Sequence, residues 1–235
     1  MLRMPSLIVI GAFAAMFTGC ASSTVALKPQ DVTQLKALSE IPAVHGQPAT
    51  LRVVTVGKAM SAGMFGVVGG LVADGMARSE GKDLVKAYAL DDPAGRVKER
   101  VAAVLAERLA LNNVRAVSTP VEDIDAKTLR GAFRDSVVLA VKTDQWSVSF
   151  VDLASHYGIV YSATARLVRT GDGTVLSNAS CRLDGRDFEK VTMDELKADN
   201  GALLKMRLER TADLCVDRLI GDLLSRETLN AALSK

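Results

Sequence analysis

The chain has 235 residues, enough for one or two domains, and with 49% apolar but only 4% aromatic residues its core must be built from Val, Leu, Ile and Ala. Its 29 basic and 27 acidic residues leave a formal net charge of +2 with no basic stripe or tail, which argues against nucleic acid as a partner. Three cysteines and two distant histidines, His45 and His156, do not form a zinc spacing, and no cofactor or metal is expected.

At the amino end, Arg3 precedes an apolar run over residues 7–17. That run is about eleven residues, too short to span a bilayer, which takes about 20, and it fits the apolar region of a secretory signal. Small residues then lead into a cysteine. Phe17-Thr18-Gly19-Cys20 resembles the bacterial lipobox, with Phe where Leu is commoner. The resemblance implies that residues 1–19 are a signal peptide and that Cys20 becomes the acylated, palmitate-bearing first residue of the mature protein. It makes the membrane a partner through Cys20, and Ala21 after the cysteine implies the periplasmic face of the outer membrane.

Residues 20–50 are rich in Ser, Thr, Pro and Gln and read as a flexible tether, with at most two helical turns near Asp31 and with His45 as a solvated loop residue. Residues 51–57 are β-branched and close on Gly57, which predicts a first, central strand. The glycine-rich insert at 61–78 is the oddest stretch. On one continuous helix, Ala62, Gly66, Gly70 and Ala77 share a face, and Gly66 and Gly70 form a small-xxx-small pair. Three uses stay open for this candidate interaction surface: packing on its own domain, a subunit contact, or a membrane contact. Asp92-Pro93 then predicts the start of a helix whose apolar stripe runs through Val97, Val101, Val104, Leu105 and Leu111. A short strand at 114–117 and a helix within 121–134 follow, and the acidic Glu122, Asp123 and Asp125 suit that helix's dipole.

The next part is β-rich. Val137, Leu139 and Val141 alternate on one parity, whereas Trp146, Val148 and Phe150 alternate on the other, which predicts a bulge between Lys142 and Gln145. Tyr157 to Leu167 and Val175 to Leu183 alternate strictly around the turn residues Thr170-Gly171-Asp172-Gly173, so three antiparallel strands are expected in sequence. Thr192 and Glu195 form a capping box, Asn200-Gly201 should break or kink the helix, and Leu204, Leu208, Cys215, Leu219 and Leu223 mark its inner stripe. Cys181 lies on the inward parity of the last strand. If the helix packs on that sheet, Cys181 and Cys215 meet and a disulfide is expected in an oxidising compartment.

Asp152, Ser155 and His156 lie close in sequence, but nothing resembles Gly-x-Ser-x-Gly, and the chain is not expected to be an enzyme.

Lys127-Thr128-Leu129-Arg130, Val137 to Val141, Trp146, Tyr157, Ala165-Arg166-Leu167-Val168 and Thr170 to Leu176 follow one order. Over residues 126–185 that order resembles a group of envelope lipoproteins whose domain is similar to the amino-terminal domain of TolB and to the curli-export lipoprotein. The resemblance implies an anticodon-binding-domain-like α+β fold and a role in envelope assembly or export rather than catalysis. The expected architecture is a single α+β domain over 51–235. It has a mixed sheet of about five strands with helices on one face, in the order β-α-β-α-β-β-β-α. The expected function is a lipid-anchored component that binds an envelope protein or itself, through 61–78 and the polar sheet face. Two alternatives are a small-ligand module (glycan or lipid) with a pocket lined by Trp146, Tyr157 and Tyr161, and an enzyme using His156.

Overall fold

The computed structural model describes residues 24–153 and 155–233, so the signal peptide and Cys20 lie outside the described residues. The elements are α1 (Pro29–Ala37), β1 (Ile41–His45), β2 (Arg52–Val54), α2 (Val56–Met64), α3 (Gly66–Tyr88), α4 (Ala94–Leu109) and β3 (Val114–Ala116). They continue with α5 (Ala126–Ala132), β4 (Val137–Phe150), β5 (His156–Arg169), β6 (Thr174–Leu183), β7 (Val191–Thr192), α6 (Met193–Leu223) and α7 (Arg226–Leu233). The class is α+β with a mixed sheet of seven strands among the described residues. Its order is β3-β1-β4-β5-β6, with β2 also on β4 and β7 on β5.

β4, β5 and β6 form the antiparallel meander that their alternation demands. The ladder between β4 and β5 slips between Thr143 and Gln145. That extra residue lets Val137, Leu139 and Val141 before it, and Trp146 and Val148 after it, all reach one core. α4 and α6 cover this face, where α6 supplies Leu204, Leu208, Cys215, Leu219 and Leu223. A smaller cluster on Val44, Ile124, Leu129, Val138, Ala140 and Val168 lies under α5 on the other side of the sheet.

The expected tether is overturned from Thr24 onward. Leu27, Val32, Leu35, Ile41, Ala43 and Val44 are buried, and β1 lies inside the sheet between β3 and β4. Burial of this many apolar side chains outweighs the local breaking tendency of the prolines. Pro29 begins α1, where a missing N–H costs no bond. Pro42 is registered with Arg115 of β3, and pairing with β4 begins only at Ala43. Residues 51–57 hold not the first central strand but a three-residue second one on β4, because Thr55 caps α2 and turns the chain out of the sheet.

α6 opens on the capping box of Thr192 and Glu195. It breaks at Ala198–Gly201, where Gly201 has φ +71° and sits against the Tyr88 ring, with no room for a side chain. Cys181 and Cys215 are disulfide-bonded with Cα atoms 5.4 Å apart, joining β6 to α6. Asp92 does more than cap α4. One oxygen accepts from Ala94 N at 2.7 Å and from Thr143 Oγ1 at 2.5 Å, and the other from Ala49 N at 2.5 Å.

Removing the disulfide by Cys181→Ala with Cys215→Ala should lower the unfolding free energy by about 3.5 kcal/mol, as a loop of this size predicts. Urea titration checks this, with reductant expected to reproduce the loss in the parent. Asp92→Ala should cost about 2–4 kcal/mol in the same assay, since a cap and two further bonds to a carboxylate go together.

Candidate functional site

The element that stands apart from the core is the α2–α3 hairpin. Thr55 starts it, accepting from Lys58 N through its hydroxyl. The chain reverses at Phe65-Gly66, where Gly66 takes φ +58°, a conformation that favours glycine. The two helices then run close together. A Cβ on Gly69 would lie 2.5 Å from the Ser61 carbonyl oxygen, so only glycine fits there. Farther along, Gly81 rests directly on the Leu51 carbonyl, and Ala77 and Leu84 are buried, which fixes the carboxyl-terminal half of α3 beside β2.

This corrects the predicted small-residue face. Ala77 is buried and Ala62 half-buried, but Gly66 is the turn and Gly70 faces open space, with nothing within 4 Å of a Cβ placed on it. The shared face requires one continuous helix across 61–78. Gly66 ends that continuity, and the contact glycines become Gly69 and Gly81.

What the hairpin exposes is apolar. Met60, Met64, Phe65, Val67, Val68, Leu71, Val72 and Met76 are each 54–82% exposed. Charges lie at the base: Lys58 Nζ bonds Val53 O at 3.0 Å and pairs with Glu80 at 2.7 Å, while Asp74 pairs with Arg52 and with Arg78. On one flank, Ser61, Phe65, Val68, Val72 and Met76 line an open groove of about 770 Å³.

The aromatic pocket is not formed. Trp146, Tyr157 and Tyr161 are buried in the main core, because the inward parity that places them together also turns them toward the helices. The Tyr161 hydroxyl lies 3.1 Å from Thr143 Oγ1, and burial pushes its phenol well above the ordinary range. Tyr157 alone borders a cleft, with Tyr88, Met193 and Lys197.

His156 staples the turn between β4 and β5. Its Nδ1 lies 2.9 Å from Asp152 Oδ2, and Lys190 Nζ reaches the same oxygen at 2.9 Å. Those bonds, Lys190 first, hold the Asp152 carboxyl well below the usual range. His45 is not a solvated loop residue. It ends β1 and borders a cavity of about 670 Å³ with Leu90, Gly95, Arg96 and Lys205, and its Nδ1 is buried without a partner. Burial, then the charge of Lys98, lowers its pKa. Because Ile41 to Val44 are all buried, no alternation along β1 marks the inward side of His45 in the sequence. Among the described residues, no group of three or more His, Cys, Asp or Glu side chains is placed to hold a metal ion.

Gly69→Ala should loosen the hairpin by about 1–3 kcal/mol through overpacking, whereas Gly70→Ala should tighten it by up to about 1 kcal/mol. Amide hydrogen exchange across α2 and α3 separates the two. Equal effects would contradict the close approach at Gly69.

No protein-family model matches the chain, and no curated protein matches it. Among solved structures it is similar to the PelC dodecamer of Paraburkholderia phytofirmans, at 13% identity over 87% of this chain and 96% of that one, with a TM-score of 0.36. It is similar to lipoprotein GNA1162 of Neisseria meningitidis, at 16% identity over 74% and 99%, with a TM-score of 0.31. A neuraminyllactose-binding hemagglutinin homolog of Helicobacter pylori shares 12% identity over 84% and 88%, with a TM-score of 0.34.

Proposed function

We propose that the protein is a lipid-anchored lipoprotein on the periplasmic face of the outer membrane, acting without catalysis as a binding or assembly component of an envelope system. The observation that carries this reading is the hairpin. Its eight exposed side chains offer on the order of 1,000 Å² of apolar surface, against roughly 300–600 Å² for the largest patch on a typical monomer. A protein that works through a pocket has no use for such a surface, whereas one that works by contact does. No helix among the described residues is long and apolar enough to cross a membrane, and the reading assigns attachment to acyl chains on Cys20.

The protein partner is assigned to the polar face of the meander. There Thr164 Oγ1 donates to Asp144 at 2.7 Å and lies 3.1 Å from Ser180 Oγ, and Arg182 reaches Gln145 at 3.3 Å. Hydrogen-bonded polar side chains on a sheet suit a hydrophilic, wet interface. A small envelope ligand is the second reading, favoured by the cavity at His45 rather than by the buried aromatics.

A photocrosslinker placed at Ser180 in living cells should capture a protein in the outer-membrane fraction, and a clickable fatty acid should label Cys20. An unlabelled Cys20 removes the anchor, and a Ser180 position that captures no protein removes the partner.

A further inference from the structure

We infer that the tip of the α2–α3 hairpin, residues 59–73, is inserted into a lipid bilayer. The inference rests on the envelope location proposed above, but it gives the hairpin an occupant of its own.

Fifteen consecutive residues, 59–73, carry no ionisable side chain, and Ser61 is the only polar one among them. Ser61 does not offer its hydroxyl to solvent: it donates to the Gly57 carbonyl at 2.9 Å, within its own helix. Hydrocarbon supplies no hydrogen bonds, so a segment lying in it must satisfy its polar groups internally. At the turn Phe65 N bonds Ser61 O at 3.1 Å and Gly69 N bonds Phe65 O at 3.3 Å, while no side chain caps the start of α3, so the turn is where the tip still has backbone amides to satisfy.

The apolar side chains occupy more than one flank. Phe65, Val68, Val72 and Met76 line the groove, while Met60, Met64, Val67 and Leu71 lie outside it and are at least 60% exposed. A protein partner covers one side of a hairpin. A fluid apolar phase covers every side, and an element apolar all round belongs either in a protein core, which the exposed tip does not occupy, or in lipid. The close approach at Gly69 fits the same setting, because small residues let helices pack where no hydrophobic effect drives them together.

The boundary is sharp. Lys58, Asp74, Arg78 and Glu80 begin immediately below the tip, with Arg52 of β2 joined to Asp74. From Gly66 to Ala73 the helix rises about 12 Å, which is less than the roughly 15 Å of one hydrocarbon leaflet. The tip therefore enters one leaflet without crossing, and Arg52, Lys58 and Arg78 sit at the depth of lipid phosphates.

Protein carrying Cys20→Ala, which has no acyl chain, should float with vesicles of phosphatidylethanolamine and phosphatidylglycerol in a density gradient. Leu71→Asp should reduce partitioning about a hundredfold, the effect of an aspartate within a hydrocarbon layer, while Val175→Asp on β6 should not. Brominated acyl chains should quench a tryptophan introduced by Phe65→Trp, with Trp146 contributing only a constant background from the core. Non-acylated protein that stays at the bottom of the gradient overturns the inference. If it is then an oligomer by light scattering, dispersed by Leu71→Asp, a second copy is the occupant instead. Loss of fatty-acid labelling at Cys20 would sink the anchor alone, because this flotation does not use it.

Discussion

One carboxylate, that of Asp92, sits where three parts of the chain must be held in register. β4 is paired on one edge with two strands in tandem: β1 along residues 139–141 and β2 along residues 147–149. The bulge at Thr143 and Gln145 falls in the gap between them. Asp92 reaches into that gap, accepting from Ala49 in the crossing between β1 and β2, from Thr143 at the bulge, and from Ala94 at the start of α4. Hydrogen bonds to an ionised acceptor are roughly twice as strong as neutral ones. With these three in place, β2 has one position, and so does the hairpin that follows it.

What holds the hairpin to the body is packing more than charge. The pairs of Asp74 with Arg52 and Arg78, and of Lys58 with Glu80, each include a partner that is substantially exposed, and exposed pairs contribute only about 0–1 kcal/mol. Gly81 on the Leu51 carbonyl, with Ala77 and Leu84 buried nearby, brings the backbone of α3 against the chain entering β2. A side chain at position 81 would displace the whole helix. The ion pairs mark the level at which the apolar tip begins, and the glycine contacts decide where the tip is carried.

Much of the carboxyl-terminal half was legible from the sequence, because there the local signals and the tertiary structure agree. The parity change across Lys142 to Gln145 placed the bulge, and inward parity joined Cys181 to the stripe containing Cys215. Thr192 with Glu195 marked a helix start, and Asn200-Gly201 a break. The amino-terminal part was illegible for a definite reason. β1 is buried on both sides and carries Pro42, so it has neither alternation nor strand-like composition, and only its neighbours β3 and β4 make it a strand. The hairpin was visible as an oddity but not in its phase, because a positive φ at Gly66 cannot be read from the string Gly66-Val67-Val68-Gly69-Gly70. α7 did leave a sign: Ser225 Oγ accepts from Thr228 N at 3.1 Å, an N-cap spacing.

The way the sheet edges are closed narrows how a protein partner can dock. Val25 pairs with Asn178 along the outer edge of β6, and α3 lies over the entry to β2. β3 is an edge of three residues whose Arg115 is exposed and paired with Glu40 at 2.6 Å. Short, charged or covered edges resist strand addition, so a partner that extends this sheet is disfavoured. The polar face of the meander is left as the surface to which the proposed protein partner is assigned. The amino-terminal segment at β6 and the hairpin beside β2 flank that face from opposite sides of the strand order. An acyl chain alone fixes distance from a membrane but not orientation. A second, inserted element, as inferred for the hairpin, would restrain rotation of a protein anchored as proposed and present the polar face consistently.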